Sequence, residues 1–177
     1  SAATPKIADY PFTTLAPHLG IVDLPDYRRF VMADLPGLIE GAHAGHGLGD
    51  RFLRHVERTR VLLHLVDPMP LDGSDPVANY LQIREELRAY GRGLADRPEV
   101  LAVTKADVWP PEGPPGDVLS RLAAAADRGV HPVSAVTGQG LQGLLREVVH
   151  VLSEAPPAPD VPDGIATTDE GGDAAGS

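Results

Sequence analysis

The chain has 177 residues, of which 42% are hydrophobic, and its formal net charge is −10 at pH 7. It contains no cysteine, which excludes a disulfide framework and any zinc site built on thiolates. A membrane-spanning helix needs about 18 or more consecutive apolar residues, and the sequence has neither such a run nor a secretory signal pattern. We therefore expect a cytoplasmic protein without a membrane span. The acidic balance also argues against broad binding to nucleic acid phosphates.

Residues 153–177 differ in composition from the rest of the chain. They contain six acidic residues, no lysine or arginine, and many prolines and glycines. Such a segment has too few large apolar side chains to offset the entropy lost on ordering. We expect one domain over residues 1–152 and a disordered acidic tail over residues 153–177.

Short apolar runs alternate with longer amphipathic segments through the domain. The runs that predict strands are FVMAD (30–34), VLLHLVD (61–67), EVLAVTK (99–105) and VHPVSA (130–135). The segments that predict helices cover residues 48–60, 75–91, 115–129 and 140–154. Almost continuous apolar runs are typical of parallel strands covered on both faces, and the alternation with helices predicts a doubly wound α/β fold. Asp75-Pro76 marks one helix start, and Gly91 and Gly129 mark helix ends.

A polar segment follows each predicted strand. The segments are DLPG after the first strand, Asp67 and PMP after the second, TKAD after the third and SAV after the fourth. In doubly wound sheets, ligands bind outside the carboxyl ends of the strands. The pattern therefore predicts one crevice to which several loops contribute.

The segment DLPG (34–37) has the residue types of a phosphate sensor. Asp34 at a strand end can hold Mg²⁺ through water, and Gly37 lets a backbone N–H approach a γ-phosphate without a Cβ in the way. An ordinary strand-to-helix turn would have the same composition. In the earlier segment 8–20, a threonine hydroxyl could ligate Mg²⁺, or it could cap a local turn.

The segment TKAD (104–107) is suited to reading a guanine base. The carboxylate of Asp107 can accept two hydrogen bonds from the base, and the stem of Lys105 can lie over the ring with its charge in water. The backbone N–H groups of SAV (134–136) could reach the O6 atom of the base. The alternative for TKAD is a solvated lysine followed by an aspartate that caps a helix.

Taken together, these segments resemble the G domain of the Obg family of translational GTPases, from Ser1 to about Leu152. Residues 1–20 are similar to the first switch of that family, and residues 34–60 to its second switch and the helix that follows. TKAD is similar to the base-reading NKxD motif, and SAV to the fifth motif. The resemblance implies a P-loop NTPase-type G domain with a doubly wound, mostly parallel sheet.

The resemblance also implies a role for each matching residue. Thr14 would sense Mg²⁺, which is the implied cofactor, and Asp34 would hold the ion through water. Asp34 and Gly37 would sense the γ-phosphate, Lys105 would cover the base, Asp107 would read it, and Ala135 would offer its N–H to O6. The implied GTP-binding residues are Phe12, Thr13, Thr14, Leu15, Ala16, Asp34, Leu35, Pro36, Gly37, Thr104, Lys105, Ala106, Asp107, Ser134, Ala135 and Val136.

The sequence departs from the family pattern at two places, and a further residue bears on hydrolysis. Thr104 stands where asparagine is most usual. Neither lysine of the chain follows a glycine, so these residues contain no Gly-Lys-Ser or Gly-Lys-Thr phosphate loop, and we expect the first strand and that loop to be missing by N-terminal truncation. Leu38 stands where Ras-like enzymes have a glutamine that orients water, so we expect slow hydrolysis.

The expected function is therefore that of a monomeric, slow GTP-hydrolysing switch that binds GTP and GDP. The resemblance implies that it acts in assembly of the large ribosomal subunit, with rRNA and ribosomal proteins as partners. We expect the 177 residues alone to be inactive. The alternative is a ribosome-interaction module that keeps the switch surface but binds no nucleotide. A fragment of a P-loop ATPase is a third possibility, which TKAD disfavours.

Overall fold

The computed structural model describes residues 6–8, 18–26, 28–34 and 57–158. The strands in these ranges are β1 (Lys6–Ala8), β2 (Leu19–Asp23), β3 (Arg29–Ala33), β4 (Leu62–Val66), β5 (Glu99–Val103) and β6 (Val130–Pro132). The α-helices are α1 (Pro76–Tyr90), α2 (Val118–Ala126) and α3 (Leu141–Glu154). Short 3-10 helices cover Leu94–Asp96, Ala106–Val108 and Pro115–Asp117. Within the described residues, no helix is long and apolar enough to cross a membrane. The predicted helix 48–60 lies outside these ranges except for residues 57–60.

The strands form two sheets of three strands in the described part of the chain. In one sheet, β2 pairs antiparallel with β1 and with β3. In the other, β5 lies between β4 and β6 and pairs parallel with both. The strand–helix alternation from residue 62 to residue 154 thus produces the parallel α/β arrangement that the sequence predicts.

The predicted strand FVMAD forms, as β3, but its surroundings differ from the prediction. It pairs antiparallel with β2 and is only partly covered, since Val31 is 65% exposed. The reason lies in the short connection from β2, where Leu24 N–H donates to the carbonyl of Arg28 (2.8 Å) and closes a tight turn at Pro25-Asp26. A connection this short can join only antiparallel neighbours, because a parallel crossover requires a dozen or more residues.

Strand β5 is the centre of the described core. All five of its residues are buried, and Leu101, Ala102 and Val103 have no exposed surface. Side chains alternate across a strand, so Leu101 and Val103 pack with residues of α1 and α2 on one face. Val100 and Ala102 pack with Leu144 and Val148 of α3 on the other face. Helices on both faces explain why the sequence of this strand is apolar almost throughout.

Helix α1 begins as the sequence predicts. The Asp75 side chain accepts a hydrogen bond from Ala78 N–H (3.0 Å), and Pro76 occupies the first turn, where its missing N–H has no intrahelical partner in any case. Gly91 caps the end of α1 with a positive φ of 79°. The prediction for α2 was wrong by two residues, because Asp127 rather than Gly129 takes the left-handed conformation that ends this helix.

The last helix extends past the predicted domain boundary at residue 152. Helix α3 runs to Glu154, and Ala155 is buried. The guanidinium of Arg60 donates to the carbonyl oxygens of Leu152 (2.9 Å), Ala155 (2.7 Å) and Pro156 (3.0 Å). A cation at the carboxyl end of a helix satisfies carbonyls that have no intrahelical partner. Within the predicted tail, Ala155 is thus buried and the carbonyls of Ala155 and Pro156 contact Arg60, whereas residues 159–177 lie outside the described ranges.

A buried carboxylate joins three elements near the amino end of β5. The side chain of Glu99 is 1% exposed and lies 3.1 Å from His64 Nδ1 on β4. Tyr80 of α1 donates its hydroxyl to Glu99 (3.1 Å), and Arg84 of α1 and Arg128 lie 3.6 and 3.8 Å away. Burial acts to raise the pKa of Glu99, but the contacts with His64, Arg84 and Tyr80 outweigh it and hold this pKa below the ordinary value.

The depressed pKa of Glu99 predicts a loss of stability in acid. A carboxyl whose pKa is lower in the folded chain contributes stability above its unfolded pKa of about 4.3, and this stability is lost as the pH falls through the folded pKa. Replacement Glu99→Gln should lower the free energy of unfolding by about 3 kcal/mol at pH 7, because the mostly buried guanidinium of Arg84 loses its charged partner. The difference in unfolding free energy between wild type and variant should become smaller below pH ~4, because Glu99 is then protonated and uncharged. Urea unfolding from pH 7 to pH 3 measures this, with exposed Glu112→Gln as control, and a gap that stays constant with pH would contradict the assignment.

The loop between β6 and α3 contains a position that only glycine can occupy. Gly140 has a φ of 74°, and a Cβ built there would lie 2.1 Å from the carbonyl oxygen of Pro132. Gly138 in the same loop has a similar φ of 80° but open space around it. In Gly138→Ala, the free energy of unfolding should therefore fall only by the cost of a left-handed backbone with a Cβ, which is about 1–2 kcal/mol. In Gly140→Ala, the free energy of unfolding should fall by about 3 kcal/mol or more, because the new Cβ forces β6 and the loop apart. Equal losses of unfolding free energy in the two variants would refute the close approach.

Candidate functional site

The parallel register brings the carboxyl ends of β4, β5 and β6 to one edge of the sheet. Val66 lies opposite Val103, and Val103 lies opposite Pro132. The ladder continues beyond the strands, since Thr104 N–H donates to the carbonyl of Val66 and Val133 N–H donates to that of Val103 (both 2.9 Å). We call the segments that follow, residues 67, 104–107 and 134–136, the base edge. Of the four segments predicted to share one crevice, this register brings three together; the fourth, DLPG, follows β3, which belongs to the other sheet.

The first of these segments, TKAD, turns sharply after β5. Lys105 has a positive φ of 62°, which is uncommon for a residue with a side chain. The turn is held on both sides, because Ala106 N–H donates to the carbonyl of Val133 (3.0 Å) and Trp109 Nε1 donates to that of Thr104 (3.1 Å). The hydroxyl of Thr104 donates to the carbonyl of Val66 (3.3 Å), so it contacts β4. The backbone of residues 104–106 is thus fixed by both neighbouring strands.

Asp107 and Ser134 form a direct contact between two loops of the base edge. Ser134 is fully buried, and its hydroxyl donates to Asp107 Oδ1 over 2.6 Å. The same hydroxyl accepts a hydrogen bond from Thr137 N–H (3.1 Å). Lys105, not Asp107, occupies the N-cap position of the 3-10 helix, and no side chain caps that turn. The structure therefore shows Asp107 as an exposed residue whose carboxylate accepts a hydrogen bond from a buried serine.

The remaining residues of SAV form the rim of the base edge. Ala135 and Val136 are exposed, and Val136 retains 85% of its surface. The loop closes on itself, since Ser134 N–H donates to the carbonyl of Gln139 (2.9 Å) and Gly138 N–H donates to that of Ser134 (3.0 Å). The loop therefore presents residues 135 and 136 to solvent beside Asp107.

Lys105 forms an ion pair that the sequence reasoning did not identify. Its Nζ lies 2.7 Å from Asp67 Oδ2, and Asp67 Oδ1 accepts a hydrogen bond from Met69 N–H (3.0 Å). Burial acts to raise the pKa of Asp67, but the hydrogen bonds from Lys105 and Met69 outweigh it and hold this pKa below the ordinary value. The sequence had placed Asp67 at this edge without a role. The one signal in the sequence was that Asp67 follows β4 and Lys105 follows β5, the strand beside β4.

Of the predicted phosphate-sensing residues, the structure describes only Asp34. It is exposed at the carboxyl end of β3, and its N–H donates to the carbonyl of His18 (2.9 Å). An exposed carboxylate at a strand end has the donor chemistry for an Mg²⁺ ion that keeps most of its water ligands. The other predicted residues of the switches lie outside the described ranges: Phe12, Thr13, Thr14, Leu15, Ala16, Leu35, Pro36 and Gly37.

Residues 1–105 match the family described as 50S ribosome-binding GTPase. The GTPase Obg of Desulforudis audaxviator is 53% identical in an alignment of 171 positions that covers 92% of this chain and 39% of that protein. The GTPase Obg of Bacillus pumilus is 49% identical in an alignment of 164 positions that covers 90% of this chain and 37% of that protein. The chain thus spans about two fifths of the length of these curated relatives.

Solved structures of low sequence identity support the fold alone. The G domain of the T. maritima FeoB iron transporter has a TM-score of 0.53 at 18% identity, with 84% of this chain and 83% of that one covered. A putative nucleolar GTP-binding protein 1 from Plasmodium falciparum has a TM-score of 0.52 at 14% identity, with 78% and 71% covered. The fold is that of a P-loop GTPase G domain, and the chain belongs to the Obg group of the 50S ribosome-binding GTPase family.

Proposed function

We propose that the base edge reads guanine in a GTP-binding switch protein. The observation that supports this most directly is the contact between Ser134 and Asp107, which fixes an exposed carboxylate beside the loop of residues 135 and 136. A carboxylate accepts hydrogen bonds and donates none, so it suits the adjacent N–H groups of guanine and does not suit adenine. In this proposal Asp107 accepts both of these bonds, the Lys105 stem covers the ring, and the Ala135 N–H reaches O6.

The switch roles of the proposal rest on family membership. Thr14 would ligate Mg²⁺ when a γ-phosphate is present, Asp34 would hold the ion through water, and the backbone of Gly37 would contact the γ-phosphate. Mg²⁺ would supply charge neutralisation at the phosphates. Leu38 has no polar group that could orient water, so intrinsic GTP hydrolysis is slow.

The phosphates of the nucleotide need a contribution from outside these 177 residues. The sequence contains no Gly-Lys-Ser or Gly-Lys-Thr, whose backbone and lysine hold the β- and γ-phosphates in P-loop proteins. We propose that the chain binds GTP and GDP when a phosphate loop is joined to it, and that residues 1–177 alone bind them weakly and do not hydrolyse GTP.

The proposed partner is the large ribosomal subunit, with contacts to rRNA and ribosomal proteins during its assembly. The description of the matching family supports this partner. The switch segments would report the nucleotide state to the ribosome, and the protein would act as a cytoplasmic monomer.

Replacement Asp107→Asn tests the guanine assignment. The exchange turns one acceptor oxygen into a donor, which suits xanthine because xanthine has a carbonyl where guanine has its amino group. Hydrogen bonds to a charged group contribute about 1.5–3 kcal/mol each, so the affinity for GTP should fall about 100-fold or more. The affinity for XTP should rise. Competition of GTP, ATP and XTP against a fluorescent GTP analogue measures this in the chain joined to an added segment that contains a Gly-Lys-Ser or Gly-Lys-Thr phosphate loop.

The same exchange at Asp127, which is exposed at the end of α2, is the matched control and should change neither affinity. An unaltered preference for GTP in Asp107→Asn would remove the guanine-reading role. Wild-type protein that binds no nucleotide while it still binds ribosomal subunits would favour the interaction module without nucleotide.

Replacement Ser134→Ala tests whether the buried hydroxyl orients Asp107. Loss of the hydroxyl leaves Thr137 N–H without this acceptor and releases Asp107, so the free energy of unfolding should fall by about 1–3 kcal/mol. GTP affinity should fall by about fivefold to tenfold, because the carboxylate must then be ordered on binding. Exposed Ser120→Ala is the control for both measurements. A loss of stability with unchanged GTP affinity would show that the contact does not orient Asp107 for the base.

A further inference from the structure

Asp67 is a carboxylate at the base edge to which the roles proposed above assign no task. It follows β4 directly, and its side chain is 36% exposed. Its partner is Lys105, the residue proposed to cover the base, and the two charged atoms lie 2.7 Å apart. The ion pair therefore connects a residue of the base-reading motif to the neighbouring strand end.

We propose that Asp67 is a positioning residue of the guanine site, which holds Lys105 ready to cover the base before nucleotide arrives. This inference rests on the proposed function, since it assigns a further residue to the same site. Asp67 itself does not contact the base in this proposal; it acts through Lys105.

The carboxylate of Asp67 is a fixed anchor rather than a mobile counter-ion. One oxygen accepts a hydrogen bond from Met69 N–H (3.0 Å), which leaves the other oxygen directed to Lys105. The backbone on either side is joined as well, because Thr104 N–H donates to the carbonyl of Val66, the residue before Asp67 (2.9 Å). The backbone segments that carry Asp67 and Lys105 are thus joined by the same ladder that aligns β4 and β5.

The conformation of Lys105 makes an anchor useful. Lys105 has a positive φ in a tight turn, and half of its side-chain surface is exposed. A free lysine side chain has several rotatable bonds, and it loses much of its rotamer entropy when it is ordered. An ion pair that orders the stem in the free protein removes part of that loss from the binding step, which slows nucleotide release.

Replacing Asp67 should affect nucleotide binding more than folding stability. Both side chains are partly exposed, and exposed ion pairs contribute little to folding. Loss of Asp67 should therefore leave the fold intact while it affects the ligand that Lys105 covers. Because Lys105 lies against the base and not the γ-phosphate, GTP and GDP should respond alike.

The test measures release of fluorescent GDP and GTP analogues from the chain joined to the same phosphate-loop segment. Asp67→Ala should release both nucleotides about threefold to tenfold faster, and the difference from wild type should shrink at high salt. Asp67→Asn should be intermediate, because its side-chain oxygen still accepts from Lys105. Asp72→Ala is the matched control, since Asp72 lies in the same connection and accepts hydrogen bonds from Ser74 N–H (3.0 Å) and Oγ (2.6 Å). It should release nucleotide at the wild-type rate.

The decisive comparison uses a Lys105→Met background. If Asp67 acts through Lys105, Asp67→Ala should have no further effect there, and the preference for guanine over adenine should match that of wild type in Asp67→Ala. An effect of equal size in the Lys105→Met background, a rate equal to that of Asp72→Ala, or slower release would overturn the proposal. Wild-type protein that binds no guanine nucleotide would instead refute the proposed function itself.

Discussion

The described structure depends on β5, which pairs parallel with β4 on one side and β6 on the other and is buried along its whole length. Because β5 has helices on both faces, its five residues admit no polar side chain except Glu99 at its first position, where cations and a hydroxyl surround the carboxylate. The register then determines which residues meet at the other end. Thr104 and Val133 continue the ladder past the strands, so residues 67, 104–107 and 134–136 share one edge.

The two ends of β5 thus have different tasks. At the amino end, Glu99 joins His64 on β4 to Tyr80 on α1, which ties the helical layer to the sheet. At the carboxyl end, the polar groups are more exposed, and each loop is held by its neighbour: Asp107 by Ser134, and Lys105 by Asp67. Polar contacts at the amino end are buried, whereas those at the carboxyl end are partly exposed, as the proposed guanine site requires.

Local patterns predicted the parallel half of the fold because each element there follows its own sequence signal. The apolar run of β5 and the Asp75-Pro76 start of α1 require no knowledge of distant residues. The surroundings of β3 could not be predicted in this way, since an apolar strand looks the same beside a parallel or an antiparallel neighbour. The signal for an antiparallel neighbour is the short Pro25-Asp26 turn that precedes β3. Asp107 and Ser134 were predicted by motif, but their contact and the anchoring of Lys105 by Asp67 depend on strand register, which the sequence does not display.

A crystal structure of the chain joined to a phosphate loop, with GDP bound, tests the central claim most directly. The claim is that the register of the parallel strands builds a guanine site from residues of three separate loops. It predicts guanine at the base edge, with Asp107 oxygens about 2.8–3.0 Å from the N1 and N2 nitrogens of the base and the Lys105 stem across the ring. A base bound elsewhere, or one at this edge with Asp107 directed away from it, would contradict the account.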